Sequence, residues 1–316
     1  MSEDKLWPRA SQWLERGTEA SRSAIEAFAS DQAAGSDDSS QRTVDIGILG
    51  VQAHQTSISK TGAHATPSAV RAALQRYSTW SWTHGVDVSG LSVHDFDDND
   101  QPDTPAGESV TSGLTALATD ASRLTIVIGG DNSVTYAAMR GAAPDLSRAG
   151  LITLDAHHDL RDGVSNGSPV RRLIEAGLPG TQVAQIGIAD FSNSAQYAQR
   201  AAELGLTVIP RSALRNQSVQ QVWQQAVAAL GDVDVIYVDI DVDVCDRAEV
   251  PGCPAAAPGG ISADELRQFA YLAGNTAKVN CIDITEIDAT ADSPDQRTVR
   301  LAALLILEAA AGLAKR

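Results

Sequence analysis

The chain has 316 residues, 24 Lys and Arg against 40 Asp and Glu, a net charge of -16, and 43% hydrophobic residues. That apolar share excludes wholesale disorder, and the acidic balance excludes a nucleic-acid partner, since no basic stripe exists to displace phosphate counterions. Cys245, Cys253 and Cys281 make no disulfide framework, and no uncharged apolar run reaches the roughly 18 residues of a membrane span.

Residues 1–43 read differently from the rest. A short amphipathic stretch carries Trp7, Trp13, Leu14, Ile25 and Phe28 and runs into the polar, turn-rich DQAAGSDDSSQR. A docked N-terminal arm followed by a mobile linker is expected. The N-terminus has no basic region before an apolar core, so it is no signal peptide, and a cytoplasmic location follows as the expectation.

From Val44 the pattern alternates, and residues 44–316 read as one domain. Short β-branched runs at 44–51, 124–130, 150–156, 183–188, 206–210, 233–242 and 279–287 predict strands. Helical stretches at 66–78, 107–120, 133–141, 192–204, 216–230, 262–274 and 296–314 separate them. The strand runs are nearly all apolar, as a parallel sheet covered by helices on both faces requires. Repeated strand–helix–strand units make an α/β domain. Its ligand is expected beyond the carboxyl ends of the strands, where Asp131, Asp155, Asp159, Asp241, Asp243 and Glu286 gather.

LDAHHDLRD (154–162) places Asp155, His157 and Asp159 at i, i+2 and i+4, on one side of an extended segment. Carboxylate, imidazole and carboxylate together suit a first-row divalent metal; a solvated acidic loop is the plain alternative. In VDIDVDVCD (238–246), Asp239, Asp241 and Asp243 alternate with Val and Ile. Three carboxylates on one buried face repel one another unless a cation sits among them; a wet edge strand is the other reading. IGGDNSVTY (128–136) ends a strand in two glycines and opens a helix with Asp131, Asn132 and Ser133, a pattern that serves capping as well as chemistry. Glu286 ends an apolar strand in TEIDATAD, either as a functional acid or as a capping or salt-bridge residue.

Taken together and in order, these segments resemble the ureohydrolase (arginase, agmatinase, formimidoylglutamase) superfamily. GGDNS is similar to its GGDHS motif, and DAHHD to its DAHxD. DIDVDVCDRAEVPGCPAAAPGG is similar to SxDxDxxDPxxAPGTGTPxxGG, with Asp239 at the Ser position. EIDATAD is similar to EVNPxxD. The resemblance covers about residues 44–314. It implies a three-layer α/β/α domain with an eight-stranded parallel sheet, a binuclear Mn2+ centre and a trimer or hexamer. By position, Asp155 and Asp241 would bridge the ions, Asp159 would complete one shell, and His157 with Asp243 the other. Asn132 stands where the family has a ligand His, and an amide oxygen is a weaker donor than imidazole.

The family hydrolyses C–N bonds of guanidines or formimino groups. SNGSPVRRL (165–173) has Asn166 where guanidine-cleaving members carry a His, and is similar to the SGTPFRQ of formimidoylglutamases. Arg161 after DAHHD and the stretch IGIADFSNSAQYAQRAAELG (186–205) also resemble that branch. The implied reaction is hydrolysis of N-formimidoyl-L-glutamate to glutamate and formamide, in histidine degradation. By the same resemblance, metal would supply an acidified water for attack on the imino carbon, Asp159 would relay its proton, and Glu286 would hold the amidinium. Arg161, Arg171 and Arg172 offer guanidinium forks for substrate carboxylates, with Asn166 and Ser168 as further contacts. The alternatives are a guanidino hydrolase, agmatinase-like or acting on a guanidino acid, and a metal-poor homologue that does not catalyse.

Overall fold

The computed structural model describes residues 6–33 and 42–316. Its centre is an eight-stranded sheet: β1 (Val44–Val51), β2 (Val93–Asn99), β3 (Ser122–Ile128), β4 (Ala149–Leu154), β5 (Val183–Ile188), β6 (Thr207–Pro210), β7 (Val235–Asp241) and β8 (Val279–Thr285). The order across the sheet is β2-β1-β3-β8-β7-β4-β5-β6, and every pairing is parallel. Strands β3, β8, β7 and β4, which lead into the four motifs, are therefore side-by-side neighbours. Their carboxyl ends open into one space.

Alternate residues of each strand feed two apolar layers. Ile126, Ile152, Val238 and Ile282 join the core under α2 (Thr66–Ala73), α7 (Val219–Ala229), α8 (Ala263–Asn275) and α9 (Arg297–Leu313). Val127, Leu151, Tyr237 and Cys281 join the opposite core under α4 (Val134–Ala142), α5 (Pro169–Glu175) and α6 (Ala195–Glu203). Burial on both faces is why these strands read as continuous apolar runs. The architecture is the three-layer α/β/α sandwich that the resemblance implied. Among the described residues no helix is long and apolar enough to cross a membrane.

Two elements escaped the pattern. Strand β2 reads VHDFDDN, too acidic to look like a strand. It forms the sheet edge, where charge is tolerated. Arg71 neutralises it, with Nε 2.6 Å from Asp95 and Nη1 2.6 Å from Asp98. Helix α5 is a single pair of turns opened by Pro169, too short to show a period.

The N-terminal segment forms a helix over Ala10–Ala33 rather than a short stretch. Gly17 lets it lie directly on β2: a Cβ there would sit 2.4 Å from Val93 Cγ1. Trp13 is buried, and its indole donates to the Leu91 carbonyl at 2.9 Å. Of the proposed linker, residues 34–41 lie outside the described residues.

Helix α9 is nearly all apolar because α8 covers one side and the sheet another. The α8–α9 crossing depends on Gly274, where a Cβ would lie 2.1 Å from the Ala309 carbonyl oxygen. Gly274→Ala must push the helices apart. We expect a loss of about 1–3 kcal/mol in urea unfolding, the usual cost of overpacking, with metal affinity unchanged. Stability equal to the parent would show that the crossing is looser than described.

Candidate metal centre

Strand β4 ends at Leu154, and Asp155 follows, wholly buried. Its Oδ1 accepts the His157 N–H at 2.6 Å, while Oδ2 has no partner among the described residues. Strand β7 delivers Asp241, whose Oδ1 accepts the Asp243 N–H at 2.8 Å and so bends the chain into a short turn. Asp243 reaches back across: Oδ1 accepts the Ala156 N–H at 2.9 Å, and Oδ2 lies 2.7 Å from His157 Nδ1. The two loops thus fix each other. Asp155, His157 and Asp243 present ligand atoms that all lie within 4.8 Å of one another.

Two further acids are aimed inward by strained backbone. Asp159 has φ 52° and Glu286 φ 62°, left-handed values that non-glycine residues avoid unless the surroundings enforce them. Asp159 Oδ2 accepts from Asn132 Nδ2 at 2.6 Å. Glu286 Oε1 accepts the Asn132 N–H at 2.9 Å and Asn166 Nδ2 at 2.6 Å. His157, Asp159, Asp241, Asp243, Glu286 and Arg161 all line one open cavity.

Burial, then mutual repulsion, raises these carboxyls. Asp155 moves to about 7 and Glu286 to about 8, and Asp159 and Asp241 also lie well above the ordinary value. Burial opposes charge on His157, but hydrogen bonds and attraction from Asp155 and Asp243 outweigh it, lifting its pKa to about 11. Burial likewise works against the Asp243 anion, yet the His157 hydrogen bond brings its pKa below the ordinary value. Such a cluster holds protons where a cation would serve better. The unpartnered Asp155 oxygen and the oxygen-rich, single-imidazole donor set fit a hard or borderline divalent ion.

Several residues stand elsewhere than the sequence suggested. The Asn132 oxygen is engaged by two hydroxyls: Oδ1 accepts from Thr135 Oγ1 and Thr285 Oγ1, both at 2.9 Å. Its nitrogen faces Asp159, because a carboxylate can only accept. Ser168 is fully buried, and its hydroxyl closes a turn with the Ser165 backbone; it does not line the cavity. Arg171 is taken by Glu175 and the Arg161 and Gly163 carbonyls. Arg172 forks onto Glu108 at 2.7 and 2.8 Å and lies over Tyr136. Arg161 does line the cavity, packed over Gly167. Asn166 braces the site, donating to Glu286 while its Oδ1 accepts the Ile58 N–H at 3.0 Å.

Sequence reasoning passed over Asp283, opposite Asp239 in the adjacent strand. Asp283 accepts from Tyr237 Oη at 2.7 Å, and its Oδ2 lies 2.9 Å from Thr135 Oγ1. A lone acid inside the apolar run VNCIDIT was the available signal.

The raised carboxyls make ion-free stability depend on pH. Asp155 titrates near 7 when folded against 3.8 for the free side chain, and Glu286 near 8 against 4.5. The folded chain keeps protons that the unfolded chain releases. The contribution of these groups is complete below about pH 4 and is lost as pH rises through 7 to 8. Mn2+ displaces those protons, so the rise in Tm on loading should be larger at pH 8 than at pH 6. A pH-independent rise, measured against chelated protein, would refute this.

A sequence model of the Arginase family matches residues 44–312. A formimidoylglutamase from Halalkalibacterium halodurans is 36% identical over 272 residues, which cover 83% of this chain and 85% of that protein. The crystal structure of formimidoylglutamase from Bacillus subtilis superimposes with a TM-score of 0.81 at 30% identity, covering 87% of this chain and 88% of that one. Trypanosoma cruzi formiminoglutamase with Mn2+ gives 0.79 at 26% identity, covering 86% and 94%. The motifs, the sheet order and these matches agree, and the chain belongs to the arginase family.

Proposed function

We propose that the protein is a metal-dependent hydrolase that cleaves N-formimidoyl-L-glutamate to glutamate and formamide, a cytoplasmic step of histidine degradation. The observation that carries this reading is one cavity lined by Arg161 and by His157 and Asp243 of the Asp155–His157–Asp243 cluster. The substrate has an amidine to be hydrolysed and two carboxylates to be bound. The Halalkalibacterium halodurans formimidoylglutamase, 36% identical, and the Trypanosoma cruzi formiminoglutamase with Mn2+ support the choice of substrate and ion.

Asp155, His157, Asp159, Asp241 and Asp243 would hold two Mn2+ ions. When bound, the metal supplies Lewis acidity that brings the pKa of a water near neutrality. Glu286 holds the amidinium through its free Oε2, its Oε1 being fixed by Asn132 and Asn166. Asp159 keeps Oδ1 clear for the proton that passes to the leaving amine, because Asn132 occupies Oδ2. Arg161 pairs with a substrate carboxylate. Asn132 leaves the Asp159 side one ligand short of the family's set. We also propose a homo-oligomer, trimer or hexamer; the exposed Leu6, Trp7, Trp80 and Trp82 give it apolar surface to cover.

The reading is tested on Mn2+-loaded protein with formimidoyl-glutamate, agmatine, arginine and guanidinobutyrate, followed by ammonia, urea and formamide. Formamide from the first alone is expected; urea from any guanidine, or no bound metal by elemental analysis, would overturn it. Arg161→Ala should raise KM for formimidoyl-glutamate at least about tenfold with a smaller change in kcat, since a carboxylate contact binds ground and transition states alike. An unchanged KM would remove Arg161 from the site. Asn132→His should tighten Mn2+ binding in calorimetry, imidazole being the better donor. No gain would mean that Thr135 and Thr285 have shaped the pocket for the amide.

A further inference from the structure

His158 lies between His157 and Asp159, lines the same cavity, and has no part in the chemistry above. Its surroundings determine which ring nitrogen carries the proton. Gln185, wholly buried on β5, makes two bonds to it: Nε2 donates to the His158 carbonyl at 3.1 Å, and Oε1 lies 2.7 Å from His158 Nδ1. A carbonyl oxygen only accepts, so the amide nitrogen must be the atom facing it. The amide oxygen is then the atom at Nδ1, and it too only accepts. Nδ1 therefore carries a proton.

The ring is 4% exposed and has no carboxylate among its hydrogen-bond partners, an environment that does not support a buried cation. In the neutral ring Nε2 is left with a lone pair. It has no protein partner among the described residues, yet it is not sealed off from the cavity. The loop that carries it is pinned, because Asn193 Oδ1 accepts the His158 N–H at 3.0 Å and Asn193 Nδ2 donates to the Ala156 carbonyl at 2.9 Å. The ring is held in place at the cavity wall with Nε2 unpartnered among the described residues.

We propose that His158 is a substrate-reading residue whose Nε2 accepts an N–H of the bound amidine, and that Gln185 is its positioning residue, fixing the tautomer that makes this possible. The proposal rests on the amidine reading above and adds to it a specific contact. An amidinium is a donor at every nitrogen. A neutral acceptor binds it without adding another negative charge to a wall already built of carboxylates. The opposite tautomer would set one N–H against another and repel the ligand.

The test is steady-state kinetics on the Mn2+-loaded full chain, with whichever amidine or guanidine the substrate panel shows to be turned over. His158→Asn keeps an amide near Nδ1 but leaves no atom at Nε2. Expected is a KM about tenfold higher with kcat within about threefold, the size of one lost hydrogen bond. His158→Gln places an amide oxygen near the Nε2 position and should bring KM back to within about threefold of the parent. Gln185→Met, close in volume and unable to fix the ring, should raise KM alone but add nothing in the His158→Asn background. Independent, additive effects of the two sites would overturn the positioning role. An unchanged KM in His158→Asn, or a His158→Gln variant as impaired as His158→Asn, would overturn the contact itself. Turnover of a guanidine instead of formimidoyl-glutamate sinks the substrate reading yet leaves this test intact, since a guanidine presents the same N–H donors.

Discussion

Like charge crowded into a dry space is the constraint on which the rest of the structure depends. Parallel order β3-β8-β7-β4 sets four strand ends side by side; β8, β7 and β4 deliver acids into the same cavity, and β3 delivers Asn132, which bonds Glu286 and Asp159. Desolvation and repulsion hold Asp155, Asp159, Asp241 and Glu286 above their ordinary pKa values. A sheet of half that width could not bring these groups together, and a solvated loop would leave them independent. A cation would resolve the conflict, and the buried apolar layers on both faces hold the acids together.

Around that cluster the fold spends strain and buried hydrogen bonds on direction. Asp159 and Glu286 take left-handed backbone so that their carboxylates point inward. One oxygen of each is then tied: Asn132 bonds Asp159 Oδ2 and Glu286 Oε1, and Asn166 bonds the same Oε1. Asn132 is itself fixed by Thr135 and Thr285. Gly130 makes this closeness possible, since a Cβ there would lie 1.9 Å from the Ala53 carbonyl oxygen. The same logic of a fixed amide orientation governs Gln185 and His158.

The acid clusters were legible because charge inside an apolar run has few innocent explanations. Asp155, His157 and Asp159 follow a strand that must be buried, and Asp241 and Asp243 extend another. The seven apolar strands were legible for the same physical reason, burial on both faces. Strand β2 was not, because its acids are neutralised by Arg71, a residue distant in sequence. The arginines show the converse. Arg161, Arg171 and Arg172 look equivalent in the chain, yet Glu108 and Glu175 take two of them and only Arg161 reaches the cavity.

The sequence by itself determined the layered α/β architecture and the family, and it named acids and an imidazole that the fold brings to one cavity. Periodicity and motif order are local properties, and each strand carries its own. Tertiary structure alone decided what those groups face: which arginine remains for a ligand, which atom of Asn132 turns toward Asp159, and which nitrogen of His158 keeps its lone pair. These depend on partners that lie 25 or more residues away along the chain for Asn132, His158 and Arg172, brought near only when the strands align. Hydrogen-bond direction is set by the partner's chemistry, and no spacing along the chain names the partner.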